Sequence, residues 1–203
     1  GYIIAALIAV IHIIPSNLIL PIIGAIIPIS IMVLFARVIF SNMKFNIVDI
    51  SITFFGICYI VLFLMFAPII RENITNGKIL IWYVFLASWG TDIFAYLIGK
   101  HFGKHKFTQI SPNKSIEGCI GGILGAVIAI LIYTFVCNNV FNMSINYFYA
   151  IFISILLSCI SQIGDLAASS IKRYCGIKDY SNLIPGHGGM LDRIDSLMFL
   201  APY

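Results

Sequence analysis

Apolar runs of about twenty residues recur along this chain, and they constrain its fold more than any other feature. A helical run of that length matches the hydrocarbon core of a bilayer, about 30 Å thick. Residues 18–40, 50–70, 79–99, 119–137 and 147–163 each read as a span. Shorter apolar segments at 2–14 and from Ser196 onward read as parts of further spans. Of the 203 residues, 61% are hydrophobic and only 10% charged. A soluble domain carries roughly a quarter charged residues, and a soluble helix needs a polar face that most of these runs lack. The expected fold is therefore all-α, a polytopic integral membrane protein of about six to seven transmembrane helices.

Charge placement supports the same layout. If the loops alternate sides, Arg37, Lys44 and the segments 100–118 and 164–196 share one side and hold ten of the twelve Lys and Arg residues. Arg71 and Lys78 alone fall opposite. That bias follows the positive-inside rule and places 100–118 and 164–196 in the cytoplasm. No repeat or low-complexity linker interrupts the chain, so a single membrane domain is expected over 1–203. The chain starts at Gly1 and stops inside an apolar stretch, which reads as a piece trimmed at both ends. No basic leader marks the first residues as a signal peptide. The five cysteines are scattered without a C-x-x-C pair and read as small embedded thiols. Gly118, Gly121, Gly122 and Gly125 put small residues on one side of a span, as close helix packing requires.

Acids are so few that each can be asked for a reason. Asp49 and Glu72 fall in loops and read as solvated. Asp92 lies within a span, where an ionisable group normally faces the protein interior or a wet cavity. Asp165 sits where a span meets the interface, and Asp165, Ser169 and Lys172 share a helical face. Asp192 and Asp195, three apart, share another. Carboxylates converging on one cytoplasmic pocket suit magnesium, alone or with a second cation. Lys172, Arg173, Lys178 and Arg193 surround these acids, and fixed cations beside metal-binding acids are what phosphoryl chemistry requires. The plainer alternative is a basic cluster that greets anionic lipid heads.

"PGHGG" (185–189) tips the balance, because its glycines permit tight turns and backbone N–H groups aimed at phosphate. "SPNKSIEG" (111–118) reads as a turn and a helix start that could hold an anion with Lys100, Lys104, Lys106 and Lys114. It is not a P-loop. His101 and His105 read as solvated or lipid-facing, and a structural zinc site has no support because the cysteines do not cluster with histidines.

The stretch "SSIKRYCGIKDYSNLIPGHGGMLDRIDS" resembles the signature of the phosphatidate cytidylyltransferase, or CDP-diacylglycerol synthase, family: S-x-x-K-R, four residues, K-D, then P-x-H-G-G, two residues, D-R-x-D. Ser169 or Ser170, Lys172, Arg173, Lys178, Asp179, Pro185, His187, Gly188, Gly189, Asp192, Arg193 and Asp195 fill it. "ISPNKSIEG" resembles the family's S-P-K-K-T-x-E-G stretch, with Asn113 and Ser115 as departures, and "SWGTDIFAYLIGKHFGKHK" resembles its Asp-containing helix and G-K-H-K loop. The resemblance covers roughly 80–203, which implies the catalytic part in 81–203 after N-terminal spans in 1–80.

It implies CMP transfer from CTP to phosphatidate, giving CDP-diacylglycerol and pyrophosphate, in a bacterial inner membrane. It further implies Asp165, Asp192 and Asp195 as metal-site acids, and Lys172, Arg173, Lys178, Asp179, His187 and Arg193 as catalytic or phosphate-handling residues. Asp92, Ser111, Lys114, Ser115, Glu117, Ser169, Gly188 and Gly189 fall to substrate binding. The implied assembly is a homodimer, with no nucleic-acid partner. The rivals are a related CTP-dependent membrane enzyme, such as a CDP-archaeol synthase or a polyprenol kinase, and more remotely an ion or solute transporter.

Overall fold

The computed structural model describes residues 16–40, 46–73, 75–108, 111–181, 189, 191–200 and 202. Among them the fold is all-helical, and the one pairing outside helices is an isolated antiparallel bridge between Lys106 and Ser115. The chain divides into two compact units, 1–74 and 75–203.

In the first unit, α1 (Ser16–Phe40) runs through Pro21 and Pro28. Helix α2 (Ile47–Ile57) continues through a π-helical turn, Cys58–Leu62, into α3 (Phe63–Asn73). The reading of Asp49 as a solvated loop acid is corrected here. Asn46 Oδ1 accepts from the Asp49 N–H, and Asp49 Oδ2 accepts from the Asn46 N–H, both at 2.9 Å. This reciprocal capping box satisfies two orphan donors and starts α2. Glu72 lies on the last turn of α3 rather than in a loop.

The second unit holds α4 (Gly77–Phe102), α5 (Ile116–Val140), α6 (Tyr147–Tyr174) and α7 (Leu191–Leu200). Helices α4, α5 and α6 are each long and apolar enough to cross a membrane, and they coincide with the expected spans 79–99, 119–137 and 147–163. The protein is an integral membrane protein. The expected segment at 2–14 lies outside the described residues. The expected helix at Ser196 starts earlier, at Leu191.

Local chemistry sets these boundaries. The Ser115 hydroxyl caps α5 by accepting from the Gly118 N–H at 3.1 Å. Asn146 caps α6 by accepting from the Phe148 N–H at 2.8 Å, while Asn138 ties the preceding turn through both ends of its amide to Ile145. Helix α6 ends where Gly176 adopts φ +68°. Its N–H donates to Arg173 O at 3.1 Å and the Ile177 N–H donates to Lys172 O at 3.0 Å. That pair of bonds is a Schellman motif, which favours glycine at the left-handed position.

Helices α4 and α5 pack most extensively, and the glycine stripe explains why. A Cβ on Gly118 would lie 2.8 Å from Ala95 O, one on Gly122 3.0 Å from Thr91 O, and one on Gly121 2.7 Å from Ile98 Cβ. Bare backbone lets the helices approach closely where lipid offers no hydrophobic drive to associate. Val84, Ala87, Ile130, Leu157 and Leu200 form the buried apolar centre. Hydroxyl pairs cross it: Tyr83 Oη with Thr134 Oγ1 at 2.8 Å, and Thr91 Oγ1 donating to Ser158 Oγ at 2.8 Å. Ile120, Leu124, Ile128, Ile132 and Phe135 leave the other face of α5 exposed and apolar, as a lipid-facing helix requires.

Candidate active site

Where α4 ends and α5 begins, the second unit opens into a cleft of about 630 Å³, within the range typical of small-molecule sites. Four parts of the chain build it. Helix α4 supplies Thr91, Asp92, Ala95, Tyr96, Gly99 and Lys100. The 111–115 turn and the first turn of α5 supply Ser111, Asn113, Lys114, Ser115, Gly118 and Cys119. Helix α6 and its exit supply Gln162, Asp165, Lys172 and Asp179, and α7 supplies Asp192 and Asp195.

The 103–117 connection is folded by its own hydrogen bonds. The Phe107 N–H donates to Lys114 O at 2.9 Å and the Ile116 N–H donates to His105 O at 3.0 Å. Glu117 reaches back from the first turn of α5. It accepts from the Lys104 N–H at 3.2 Å and the His105 N–H at 3.3 Å, and pairs with His105 Nδ1 at 2.7 Å. His105 is exposed, as expected, and pairs with Glu117; Glu117 braces the loop and is absent from the cleft lining. The effect is to present Lys114 to the cleft, where its ammonium pairs with Asp165 Oδ2.

A second ion pair sits across the cleft. Lys172 Nζ lies 2.8 Å from Asp192 Oδ1 and 3.7 Å from Asp195 Oδ2, with its side chain only 12% exposed. Asp192 also latches the chain that follows α6: its Oδ2 accepts from the Tyr180 N–H and the Gly189 N–H, each at 2.9 Å. Burial tends to raise the Asp192 carboxyl, but these three donors outweigh it and hold the group below the ordinary carboxylate range. Asp195 goes the other way. Burial, with the negative charge of Asp165 nearby, pushes it up to about 7. Tyr180 is raised to about 12 by burial and by Asp195 and Asp192, so it stays a neutral phenol beneath the Lys172 ammonium, 5.3 Å from the ring centre.

Among the sequence-predicted residues, the structure brings Asp92, Ser111, Lys114, Ser115, Asp165, Lys172, Asp179, Asp192 and Asp195 to one cleft. Gly189 contributes its backbone N–H through Asp192. Arg173, on the last turn of α6, and Lys178, beyond its end, are exposed, and neither they nor Ser169 line the cleft. His187, Gly188 and the Arg193 side chain lie outside the described residues. Among the described residues, no three carboxylate, His or Cys side chains converge closely enough to hold one ion as they stand; lysine ammonium groups lie against the acids instead.

Sequence reasoning passed over Gln162, which donates to Cys119 O at 3.2 Å from the cleft wall. It also passed over Ser88 and Ser196, behind the acids. A polar residue inside an apolar span was the available signal for Gln162 and Ser88.

The cleft pairs fixed cations with carboxylates at the ends of membrane-length helices. The profile of the cytidylyltransferase family matches residues 2–203, and the chain belongs to that family. It is 40% identical over 165 residues to the phosphatidate cytidylyltransferase of Staphylococcus aureus (strain COL), covering 81% of this chain and 61% of that protein. Identity to the phosphatidate cytidylyltransferase of Staphylococcus haemolyticus (strain JCSC1435) is 36% over 171 residues, 84% of this chain and 63% of that one. With the protein of the same name from Bacillus subtilis (strain 168) it is 37% over 135 residues, 66% of this chain and 49% of the other. The chain thus spans about three-fifths or less of the length of these relatives.

Proposed function

We propose that this chain carries the site at which CMP passes from CTP to phosphatidate, giving CDP-diacylglycerol and pyrophosphate. The observation that carries the reading is the pairing of Lys114 with Asp165 and of Lys172 with Asp192 and Asp195 in one cleft. Both substrates are polyanions and one keeps its tails in the bilayer, so the site needs cations and must lie at the membrane interface. The names of the relatives point to the same substrates.

In the proposed step a phosphatidate oxygen attacks the α-phosphorus of CTP, the bond to the β-phosphate oxygen breaks, and pyrophosphate leaves with the electron pair. Lys114 and Lys172 offset the charge that the two phosphates bring together. A general base is unnecessary, because the attacking phosphate oxygen is already ionised near neutral pH. Ser111 and Ser115 offer hydroxyls beside Lys114, and Asp92 contributes on the nucleotide side. Arg173 and Lys178, exposed at and just past the end of α6, suit anionic lipid headgroups. Asp179, His187, Gly188 and Arg193 keep their roles in phosphate handling as the family resemblance implies.

The donor set fits magnesium: these are hard oxygen ligands, and Asp195 and Asp165 repel each other enough to call for added positive charge. Asp165, Asp192 and Asp195 would hold the ion, alone or with a second cation. Asp192, its oxygens already accepting three donors, would have the smallest share. When bound, the ion supplies charge neutralisation at the departing pyrophosphate. The full reading places the protein as a homodimer in a bacterial inner membrane, with the cleft facing the cytoplasm.

The test is purified protein in detergent with phosphatidate, magnesium and radiolabelled CTP, followed by organic extraction. Label in the lipid phase as CDP-diacylglycerol, lost on chelation, is the expected result. Label that enters only an archaeal-type ether lipid or a polyprenol would move the reading to a rival in the same superfamily.

A further inference from the structure

Behind the cleft, Ser196 joins two of its walls. The residue is 3% exposed on α7 and its hydroxyl crosses to α4. There it donates to Asp92 Oδ2 at 3.2 Å and meets Ser88 Oγ at 3.0 Å. Ser88 and Asp92 are one turn apart and so share a helical face. A hydroxyl has a single proton to give. With the Ser196 proton committed to Asp92, the proton between the two serines must come from Ser88. The order is therefore set: Ser88 donates to Ser196, and Ser196 donates to Asp92. The Ser196 backbone N–H also donates to Asp195 Oδ1 at 2.8 Å. One residue thus restrains two cleft carboxylates carried on different helices, and it is itself absent from the cleft lining.

We propose that Ser196, backed by Ser88, is a positioning residue whose hydroxyl aims Asp92, from the nucleotide side, toward the ion that Asp195 helps to hold, and so sets the cleft's affinity for a divalent cation. A plain interhelical tie would need neither carboxylate. Ser154 gives the contrast: it is equally buried, and its hydroxyl is spent on Ile151 O of its own helix at 2.7 Å. The Asp92 carboxylate, in contrast, is open to the cleft, where a free rotor would lose its aim. The inference rests on the proposed metal-dependent reading of the cleft.

The experiment compares Ser196→Ala, Ser88→Ala and Ser154→Ala with the wild type. Direct Mn²⁺ titration by paramagnetic resonance and thermal unfolding are measured in detergent, and CMP transfer is measured separately. Ser196→Ala keeps the backbone N–H to Asp195 and loses only the hydroxyl bond to Asp92; losing that hydrogen bond to a charged group should weaken Mn²⁺ binding roughly ten- to hundredfold. Ser88→Ala removes only the backing donor and should weaken it about threefold. The thermal midpoint should fall in both Ser196→Ala and Ser154→Ala, but only Ser154→Ala should keep wild-type Mn²⁺ affinity. Wild-type Mn²⁺ affinity in Ser196→Ala overturns the inference, as does a wild type that binds no Mn²⁺. If Ser196→Ala yields no folded protein, Ser88→Ala decides: weaker binding supports the inference and unchanged binding overturns it. A wild type that binds Mn²⁺ but labels no lipid unseats only the proposed reaction, and the Mn²⁺ titrations still judge Ser196.

Discussion

Replacing Asp192 with Asn tests the electrostatics of the cleft most directly. The carboxylate accepts on both sides, from Lys172 Nζ on Oδ1 and from the Tyr180 and Gly189 N–H groups on Oδ2. An amide has one acceptor end. If its oxygen keeps the two backbone donors, its NH₂ faces the ammonium of Lys172. If it turns to satisfy Lys172, the two backbone donors lose their partner. Either orientation removes a charge-assisted bond, about 1.5–3 kcal/mol, and leaves a partly buried donor unmet at about 1–3 kcal/mol. Lys172 keeps Asp195 at 3.7 Å, so a net loss of about 3 kcal/mol is reasonable. For a chain of this size that corresponds to a midpoint lower by roughly 6–12 °C. With Lys172 drawn toward Asp195, turnover should fall at least about a hundredfold, since each 1.4 kcal/mol is tenfold in rate. Intrinsic fluorescence during heating gives the midpoint, and labelled CMP in extracted lipid gives the rate. Asp192→Glu, which keeps the charge and two acceptor oxygens, should lose less on both measures. An Asn variant that melts within about 2 °C of wild type and turns over normally would refute both the latch and the charge argument.

Three further outcomes are expected. Gly118→Ala places a methyl 2.8 Å from Ala95 O and 3.1 Å from Gly99 Cα, both backbone, so α4 and α5 must separate; overpacking of about 1–3 kcal/mol should appear as a lower midpoint, and a variant as stable as wild type would contradict the packing. At Gly176 a methyl meets nothing within 4 Å, yet φ is +68°; Ala should destabilise by about 1–2 kcal/mol and Asn by less, and equal midpoints for the two would count against the left-handed cap. Asp195 carries a carboxyl raised to about 7 by burial and then by Asp165. A divalent ion binds only the ionised form, so protons compete below that value. Mn²⁺ affinity should fall about tenfold per pH unit below 7 and level off above it; a flat titration between pH 5.5 and 8 would remove Asp195 from the metal site.

Much of this protein could be read before any tertiary structure. Membrane helices must satisfy every backbone group internally, so an uninterrupted apolar run leaves few alternatives. That is why α4, α5 and α6 fall on the expected spans. The glycine stripe on α5 was equally legible, because small residues at helical spacing have a direct packing meaning. Scarcity made the acids informative, and most of those named do reach one cleft.

Tertiary structure decided how the charges divide their work. Spacing put Asp192 and Asp195 on one helical face, yet one is a latch held ionised by three donors and the other is a buried acid crowded by Asp165. Glu117 read as a substrate residue, and its carboxylate braces its own loop through His105. Ser196 carried no signal of its own, and its importance comes from meeting Ser88 and Asp92 across more than a hundred residues of chain. The physical reason is the range of the interactions. Hydropathy and capping act within a few turns of one helix and are written locally. Which carboxylate meets which lysine depends on where four separate segments come together, and only folding brings them there.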